Sequence, residues 1–366
     1  MPKRIVFTGG HHNSALAVAL DLKYDGYDIY WLGHKYSMWG DKNPSAEYKE
    51  VTAAGIPFYE LKAGKFYRTY HPLKLARIPN GFIEAFKYIK AIKPDLIISF
   101  GGYLAVPVAV IGWLMRIPII THEQTAVTGL SNQLIGKFAN KILLTYDSSS
   151  QYFPKEKSIV IGLPLSTTKI PKVKFTQDRK KTIFIHGGKQ GSHIINQCVF
   201  SAVSRLVEKY KVIHQVGSST VYQDYIKANE VKNRLPAGQR SSYDVFEYLP
   251  QAGFDKGLAS TALVIGRSGA HTVYQIGIFG VPALFIPIPW VVNNEQQKNA
   301  EILVNAGSSE LLLQKDLTPD SLIEKIELIF GNINTYRERA EDARHLFPLD
   351  AKEKMVRIIK EILGDK

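Results

Sequence analysis

The sequence predicts an α/β protein built of two parallel-sheet domains. Three observations carry that expectation. The chain has 366 residues, too many for one ordinary domain, and is 45% hydrophobic, enough for two buried cores. Short apolar runs alternate with helix-like stretches, as in βαβ units whose strands are covered on both faces. The alternation breaks once, in the polar, Lys- and Pro-bearing stretch LPLSTTKIPKVKFTQDRKK (163–181), and then resumes. The expected domains are therefore 1–165 and 166–366, with the last helix free to pack back on the N-terminal one.

In the first half, apolar runs at 4–8, 28–33, 96–100, 117–121, 141–146 and 158–162 predict strands, and stretches 13–24, 73–92, 105–115 and 128–139 predict helices. One segment, LIISFGGYLAVPVAVIGWLM (96–115), is free of charge and long enough to read as a membrane span. Gly101, Gly102 and Pro107 divide it. It reads better as a strand, a glycine turn and a helix starting near Pro107, because proline suits a first helical turn and disrupts later ones. In the second half the alternation runs TIFIHG, a helix from 192 to about 210, KVIHQVG, ALVIGR, a helix from about 270, PALFIPI, and helices over most of 318–363.

The formal charge of +13, from 46 basic and 33 acidic residues, favours an anionic partner such as a phosphate ligand or an acidic membrane face. The basic residues are dispersed and no nucleic-acid-binding module is recognisable, so nucleic acid is not expected as a partner. Cys198 is the single cysteine, and the start MPKRIVFTGG lacks the apolar core of a secretory signal, so a cytoplasmic setting is expected. Residues 62–93 hold eight Lys or Arg and one acidic residue, with Phe66, Tyr67, Leu75, Ile78, Phe82, Ile83 and Phe86 interleaved. That mixture suits docking on anionic lipid; the spacing of 75, 78, 82 and 86 equally fits a core-facing stripe under a solvated basic face.

Two stretches repeat one device. IVFTGG (5–10) and IFIHGG (183–188) each run a buried strand through two glycines towards a helix, which lets backbone N–H groups approach an anion closely. Neither has the GxGxxG spacing of a dinucleotide site. His11, on the first turn, is of the right type for a general base, or else is a helix-start polar residue. His122 and Glu123 follow the strand IPIIT, at the strand end where open α/β sheets bind ligands; the bland alternative is a hydrogen bond joining two loops. Gly188, Lys189 and Gln190, and likewise Ser268 and Gly269, precede helices and so are candidates to meet a departing diphosphate. No Asp-x-Asp occurs and no metal-ligand spacing stands out, so neither a metal nor a cofactor is expected.

Taken in order, the motifs resemble those of the MurG family of glycosyltransferases. TGGH (8–11) followed by ALAVA is similar to its N-terminal glycine loop, and GGY (101–103) to its second. HEQTAVTGLSN (122–132) resembles HEQN-x-x-x-G-x-x-N, and HGGKQGSHIINQ (186–197) resembles GGSQGA-x-x-x-NQ. RSGAHTVYQI (267–276) resembles RSGA-x-T-x-x-E, and QQKNAEIL (296–303) carries Q-x-x-NA. The resemblance implies a GT-B fold, two Rossmann-like parallel-sheet domains facing a cleft. It implies an inverting transfer of GlcNAc from UDP-GlcNAc to a polyprenyl-diphosphate-linked acceptor, lipid I to lipid II of peptidoglycan synthesis, by a peripheral protein on the cytoplasmic membrane face.

The same resemblance implies catalytic roles for His11 and Glu123, and an acceptor side of Thr8, Gly9, Gly10, Tyr103, His122 and Asn132. Donor contacts are implied for Thr125, Ser166, Gly188, Lys189, Gln190, Asn196, Leu249, Arg267, Ser268, Gly269, Ala270, His271, Thr272, Val273, Tyr274, Gln275 and Gln296. Four positions depart from the family pattern: Thr125 replaces its Asn, Ser166 its arginine, Lys189 its loop serine and Gln275 its glutamate. Lys189 restores a cation where Ser166 removes one. The alternatives are a transferase with another lipid acceptor or donor, a UDP-sugar epimerase of the same fold, and a non-catalytic binding paralogue.

Overall fold

The computed structural model describes residues 2–36, 44–64, 77–166 and 181–365. Most of the expected linker, and Phe66, Tyr67 and Leu75 of the basic segment, lie outside the described residues. The chain divides into two compact units, residues 1–168 with 348–366, and residues 169–347.

The first unit runs β1 (Arg4–Thr8), α1 (His12–Tyr24), β2 (Asp28–Gly33), α2 (Ala46–Ala53), β3 (Phe58–Glu60), α3 (Arg77–Ile92), β4 (Leu96–Ser99), α4 (Ala105–Leu114), β5 (Ile119–Glu123), α5 (Leu130–Phe138), β6 (Lys141–Leu144) and β7 (Ser158–Val160). Its seven strands pair in parallel in the order β3-β2-β1-β4-β5-β6-β7. Successive side chains of a strand point to opposite faces. Ile5 and Phe7 therefore join Val18 and Leu22 of α1 in one core, and Val6 joins Ala105 and Val108 of α4 in the other. Burial on both faces is what makes these strands read as uninterrupted apolar runs.

The charge-free segment 96–115 divides into β4 and α4, and the helix opens at Ala105, so that Pro107 falls within its first turn. No helix among the described residues is long and apolar enough to cross a membrane. Helix α2 and strand β3 are additions to the sequence expectation. Among its residues α2 buries Val51 alone, too little to produce a helical period, and its start is set instead by Ser45, whose hydroxyl accepts the Tyr48 N–H at 3.2 Å.

The second unit runs β8 (Thr182–His186), α6 (His193–Leu206), β9 (Lys211–Gln215), α7 (Asp224–Arg234), β10 (Tyr243–Phe246), α8 (Gln251–Ser260), β11 (Leu263–Gly266), α9 (Ala270–Phe279), β12 (Ala283–Phe285), α10 (Glu295–Asn305), β13 (Ser309–Leu311), α11 (Pro319–Gly331) and α12 (Ile333–Asp342). Six parallel strands follow the order β10-β9-β8-β11-β12-β13. Each sheet reverses its direction of winding once, between β1 and β4 in the first unit and between β8 and β11 in the second.

The last helix, α13 (Ala351–Leu363), belongs to the first unit. Met355 and Ile359 enter the core shared by β1 and α1, while Lys352 pairs with Asp21 at 2.7 Å and Lys360 with Asp25 at 2.8 Å. Apolar burial supplies most of the attachment, since exposed ion pairs add little. Met355→Ala should lower the unfolding free energy of the first unit by about 2–5 kcal/mol. Denaturant unfolding of the full chain measures it, and a loss below about 1 kcal/mol would mean that α13 is only loosely docked.

Candidate active site

Both reversal points carry glycine loops, and in open parallel sheets ligands bind at the strands' carboxyl ends at such points. In the first unit Thr8 of β1 lies in register with Ser99 of β4, and the loops leaving them meet backbone to backbone. The Gly10 N–H donates to the Gly101 carbonyl at 3.1 Å. Gly9 has φ 133°, and a Cβ there would lie 2.8 Å from the Phe100 backbone, so only glycine fits. Thr8 is fully buried beneath this contact, and Tyr103 is exposed beyond it.

His11 occupies the N-cap position of α1 and is exposed, whereas the first turn behind it is fastened by Ser14, whose Oγ donates to the Pro164 carbonyl at 2.7 Å. Protein atoms packed about the His11 ring, with a smaller contribution from the neighbouring His12, hold its pKa below the ordinary histidine value. The imidazole is thus unprotonated at neutral pH. His12 has a different setting: its Nε2 lies 3.1 Å from a Glu50 carboxylate oxygen on α2.

His122, Glu123, Thr125 and Asn132 form one buried network. Glu123 accepts the Thr125 N–H at 3.1 Å and an Asn132 Nδ2 hydrogen at 3.0 Å, and the Thr125 hydroxyl lies 2.8 Å from its Oε1. Asn132 also donates to the His122 carbonyl and accepts from the Thr121 hydroxyl. Burial raises the Glu123 pKa against the pull of these donors. His122 Nε2 donates to the Gly162 carbonyl at 3.0 Å, and burial lowers its pKa to about 4. Glu123, Thr125 and Asn132 are therefore tied to one another, fixing the loop after β5 to α5. Gln124, which the sequence reading did not single out, is fully buried with both amide atoms unpartnered among the described residues. Ser166 is exposed near the end of the first unit's described stretch.

In the second unit the turn 187–191 leaves β8 and packs on the exit of β9. Gly191 has φ 83°, and a Cβ there would lie 1.9 Å from the Val216 carbonyl oxygen. Lys189 and Gln190 are exposed at the tip, and Gly188 is open around its Cα. The helix behind the turn is held from below: Asn196, fully buried, donates to Asp224 at 2.7 Å and to the Val216 carbonyl at 2.9 Å, and accepts from His214 Nε2 at 3.1 Å. Asn196 thus holds the loop's support, with its amide occupied by protein groups. His186, which in sequence stands out only as part of the repeated device, is buried against Phe184 and Phe254 with both ring nitrogens unpartnered among the described residues.

Arg267 is almost buried, donating to the Ile286 carbonyl at 2.9 Å and to Gln314 at 2.7 Å, and no carboxylate pairs with it among the described residues. Burial lowers its pKa to about 10, so it remains a cation at neutral pH. Ser268 follows, with its hydroxyl buried and unpartnered among the described residues, and Gly269 caps α9. Gln275, His271 and Thr272 are half-buried on α9, whereas the helical period turns Val273 and Tyr274 into the core, and Ala270 is buried. Gln296 accepts the Ile288 N–H at 3.1 Å, and Leu249 is half-buried just before α8.

Apart from these loops, α3, α4 and α5 each expose apolar side chains. Ile83 is 66% exposed, Trp113 51%, Leu114 63% and Leu130 57%, the Lys90 ammonium lies over the Phe86 ring, and Lys87, Arg116 and Lys137 are exposed as well. Ile78 and Phe82 are half-buried. Of the stripe 75, 78, 82 and 86, Ile78 and Phe82 turn partly inward and Phe86 faces water, while Leu75 lies outside the described residues.

Comparison with known proteins gives one family. Residues 6–144 match the glycosyltransferase family 28 N-terminal domain, and residues 182–362 match its C-terminal domain. The UDP-N-acetylglucosamine–N-acetylmuramyl-(pentapeptide) pyrophosphoryl-undecaprenol N-acetylglucosamine transferase 2 of Bacillus thuringiensis subsp. konkukian is 31% identical over 351 residues, 92% of this chain and 94% of that protein. The Bacillus cytotoxicus transferase of the same description is 28% identical over 370 residues, 97% of each chain. Among solved structures, Acinetobacter baumannii MurG matches with a TM-score of 0.78 at 25% identity, covering 98% of this chain and 100% of that one. The calicheamicin glycosyltransferase CalG4 shares the fold at a TM-score of 0.71 and 15% identity, covering 99% of this chain and 98% of that one.

Three buried imidazoles have a measurable consequence. Burial lowers His122 and His186 to about 4 and His214 to about 3, against about 6.5 in an unfolded chain. Between those values the unfolded chain binds protons that the folded one refuses, so stability is full above pH 6.5 and falls as pH drops through the window. Glu47 and Glu123, whose pKa values burial raises, work in the opposite sense and reduce the slope. Melting temperatures should decline steadily from pH 7 to pH 4.5; a flat profile would contradict neutral, buried imidazoles.

Proposed function

The chain belongs to the MurG family within glycosyltransferase family 28, and from that membership we propose that it is an inverting transferase moving GlcNAc from UDP-GlcNAc to an undecaprenyl-diphosphate-linked N-acetylmuramyl-pentapeptide, the step from lipid I to lipid II. The observation that carries the reading is the division of labour between two reversal points. One ends in an accessible, unprotonated histidine; the other ends in two helix N-termini and an arginine without a carboxylate partner among the described residues.

The chemistry follows from those groups. The acceptor hydroxyl oxygen attacks the anomeric carbon from the face opposite the diphosphate, its proton passes to the unprotonated nitrogen of His11, and the bonding pair of the broken C–O bond leaves with UDP. The growing negative charge on the diphosphate is met by the N-termini of α6 and α9, by Lys189 at the tip of the turn and by Arg267. Lys189 takes the part of the cation that Ser166 lacks. Gln275 holds the ribose with one acceptor oxygen where a carboxylate would offer two. Glu123, enclosed by Thr125 and Asn132, acts by fixing the acceptor-side loop. With the positive field built from backbone and side chains, the reaction needs no metal.

The lipid part of the acceptor brings the protein to an anionic membrane surface. The exposed Ile83, Phe86, Trp113 and Leu114, on the adjacent helices α3 and α4, with exposed lysines on α3, are suited to that interface. The protein then acts peripherally, on the cytoplasmic face.

Purified protein with a panel of UDP-sugars and a lipid I analogue, read by mass spectrometry, tests the activity. GlcNAc transfer in EDTA is the expected result; free epimerised sugar without acceptor would favour the epimerase alternative. His11→Ala should lower turnover roughly 10²–10⁴-fold and leave UDP binding nearly unchanged. A parallel loss of UDP affinity would remove the base assignment. Gln275→Glu should tighten UDP binding by calorimetry. Ile83→Glu with Phe86→Glu should abolish sedimentation with anionic vesicles at low salt while sparing UDP binding, and continued sedimentation would place the membrane contact elsewhere.

A further inference from the structure

Gln215 ends β9 and is 2% exposed. It lies in register with His186 of β8 on one side and Phe246 of β10 on the other, at the carboxyl edge of the sheet. Its Nε2 donates to the Gly188 carbonyl at 3.0 Å, and its Oε1 accepts the Leu249 N–H at 3.2 Å. One end of the amide thus holds the turn 187–191, and the other holds the segment that enters α8. Backbone bonds arrange the same three strand exits around it. Val216 and Gly217 donate to the Phe246 and Glu247 carbonyls, each at 2.9 Å, and Ser218 donates to the Lys189 carbonyl at 3.0 Å.

The residue type is dictated by that position. A primary amide donates and accepts at one tip, which the two partners require; glutamate lacks the donor, methionine lacks both, and asparagine is one methylene short. The neighbouring residue, His214, points to the opposite face, where it meets Asn196 and, at 2.9 Å, the Tyr243 hydroxyl. Successive side chains of β9 therefore anchor α6 below the sheet edge and the two loops above it.

We propose that Gln215 is a positioning residue that couples the anion-binding turn 187–191 to segment 247–250, which carries the expected donor contact Leu249 and is assigned here to the nucleoside, so that the two halves of a nucleoside diphosphate are received in one fixed geometry. This rests on the donor role given above to the second unit. Gln215 touches neither reacting atoms nor, in this arrangement, the donor itself; it keeps the Gly188 carbonyl turned away from the anion and the peptide at Leu249 in place.

The test uses the full-length chain and UDP as the calorimetric probe. Gln215→Met keeps length and volume and removes both hydrogen bonds. UDP affinity should fall roughly tenfold or more, as expected for two ordinary hydrogen bonds that preorganise a site. In the transfer assay KM for UDP-GlcNAc should rise while KM for the lipid acceptor stays within about twofold, a split that simple loss of folded protein does not produce. Uridine alone separates the two arms: Gln215→Glu keeps the oxygen that accepts from Leu249, so uridine binding by ligand-observed NMR should persist there and weaken in Gln215→Met. Should the methionine variant not fold, Gln215→Asn carries the same comparison. Unchanged UDP affinity in the folded variants overturns the coupling alone. A wild-type chain that binds no UDP overturns the donor role and the coupling with it.

Discussion

A peptide N–H meeting a peptide carbonyl, Gly10 to Gly101, is the contact on which the first unit's site depends. Two parallel strands diverge at a reversal point, and the space between their exits is where a ligand can reach main-chain donors. That space exists only if the two loops pack without side chains between them. Gly9 and Gly102 satisfy this: a Cβ on Gly9 would lie 2.8 Å from the Phe100 backbone, and one on Gly102 3.3 Å from the Gly10 nitrogen. The second unit also brings main chains together, at the exits of β8 and its neighbour β9, where Gly191 and Gly217 touch backbone to backbone; its reversal point lies on the other side of β8, towards β11. Glycine here serves close approach as much as conformational freedom.

Loops held in this way need support, and both units supply it with buried amides. Asn132 joins the end of β5 to α5 and fastens Glu123; Asn196 joins α6 to β9 and fastens Asp224. Each asparagine uses its oxygen and both amide hydrogens, or nearly so, which is the condition for burying a polar side chain without a large penalty. One histidine is the exception. His186 has no partner for either ring nitrogen among the described residues, and burial keeps it neutral. At His11 as well, desolvation and the neighbouring His12 hold the imidazole pKa down, which leaves it unprotonated at neutral pH, as the proposed base must be.

The charge of the chain acts at a different scale from its site. A formal +13 draws the protein towards anions in general. In the proposed reaction, orientation at the diphosphate falls instead to local groups of the second unit: helix N-termini, Lys189, and an Arg267 whose hydrogen bonds go to a carbonyl and a glutamine. The helix N-termini and Arg267 are held by the fold before charge develops, which is the condition under which such groups are effective.

By itself the sequence determined the α/β class, the strands β1, β2, β4 to β9, β11 and β12, the glycine turns and the family, because most buried parallel strands are uninterrupted apolar runs and the motifs are contiguous in the chain. The identity of the residues at those turns was legible for the same reason. Helices α2, α7 and α10 were not legible: they bury few side chains, so their periodicity is faint, and caps and neighbours decide them. The attachment of α13 to the first unit, the reversal points, and the division of RSGAHTVYQI into a site-facing edge and a core-facing Val273 and Tyr274 were decided only in three dimensions. So was the role of Gln215. A glutamine at the end of a strand carries no signal in sequence, since its meaning lies in two partners, at Gly188 and Leu249, that are distant along the chain and meet only when the sheet has formed.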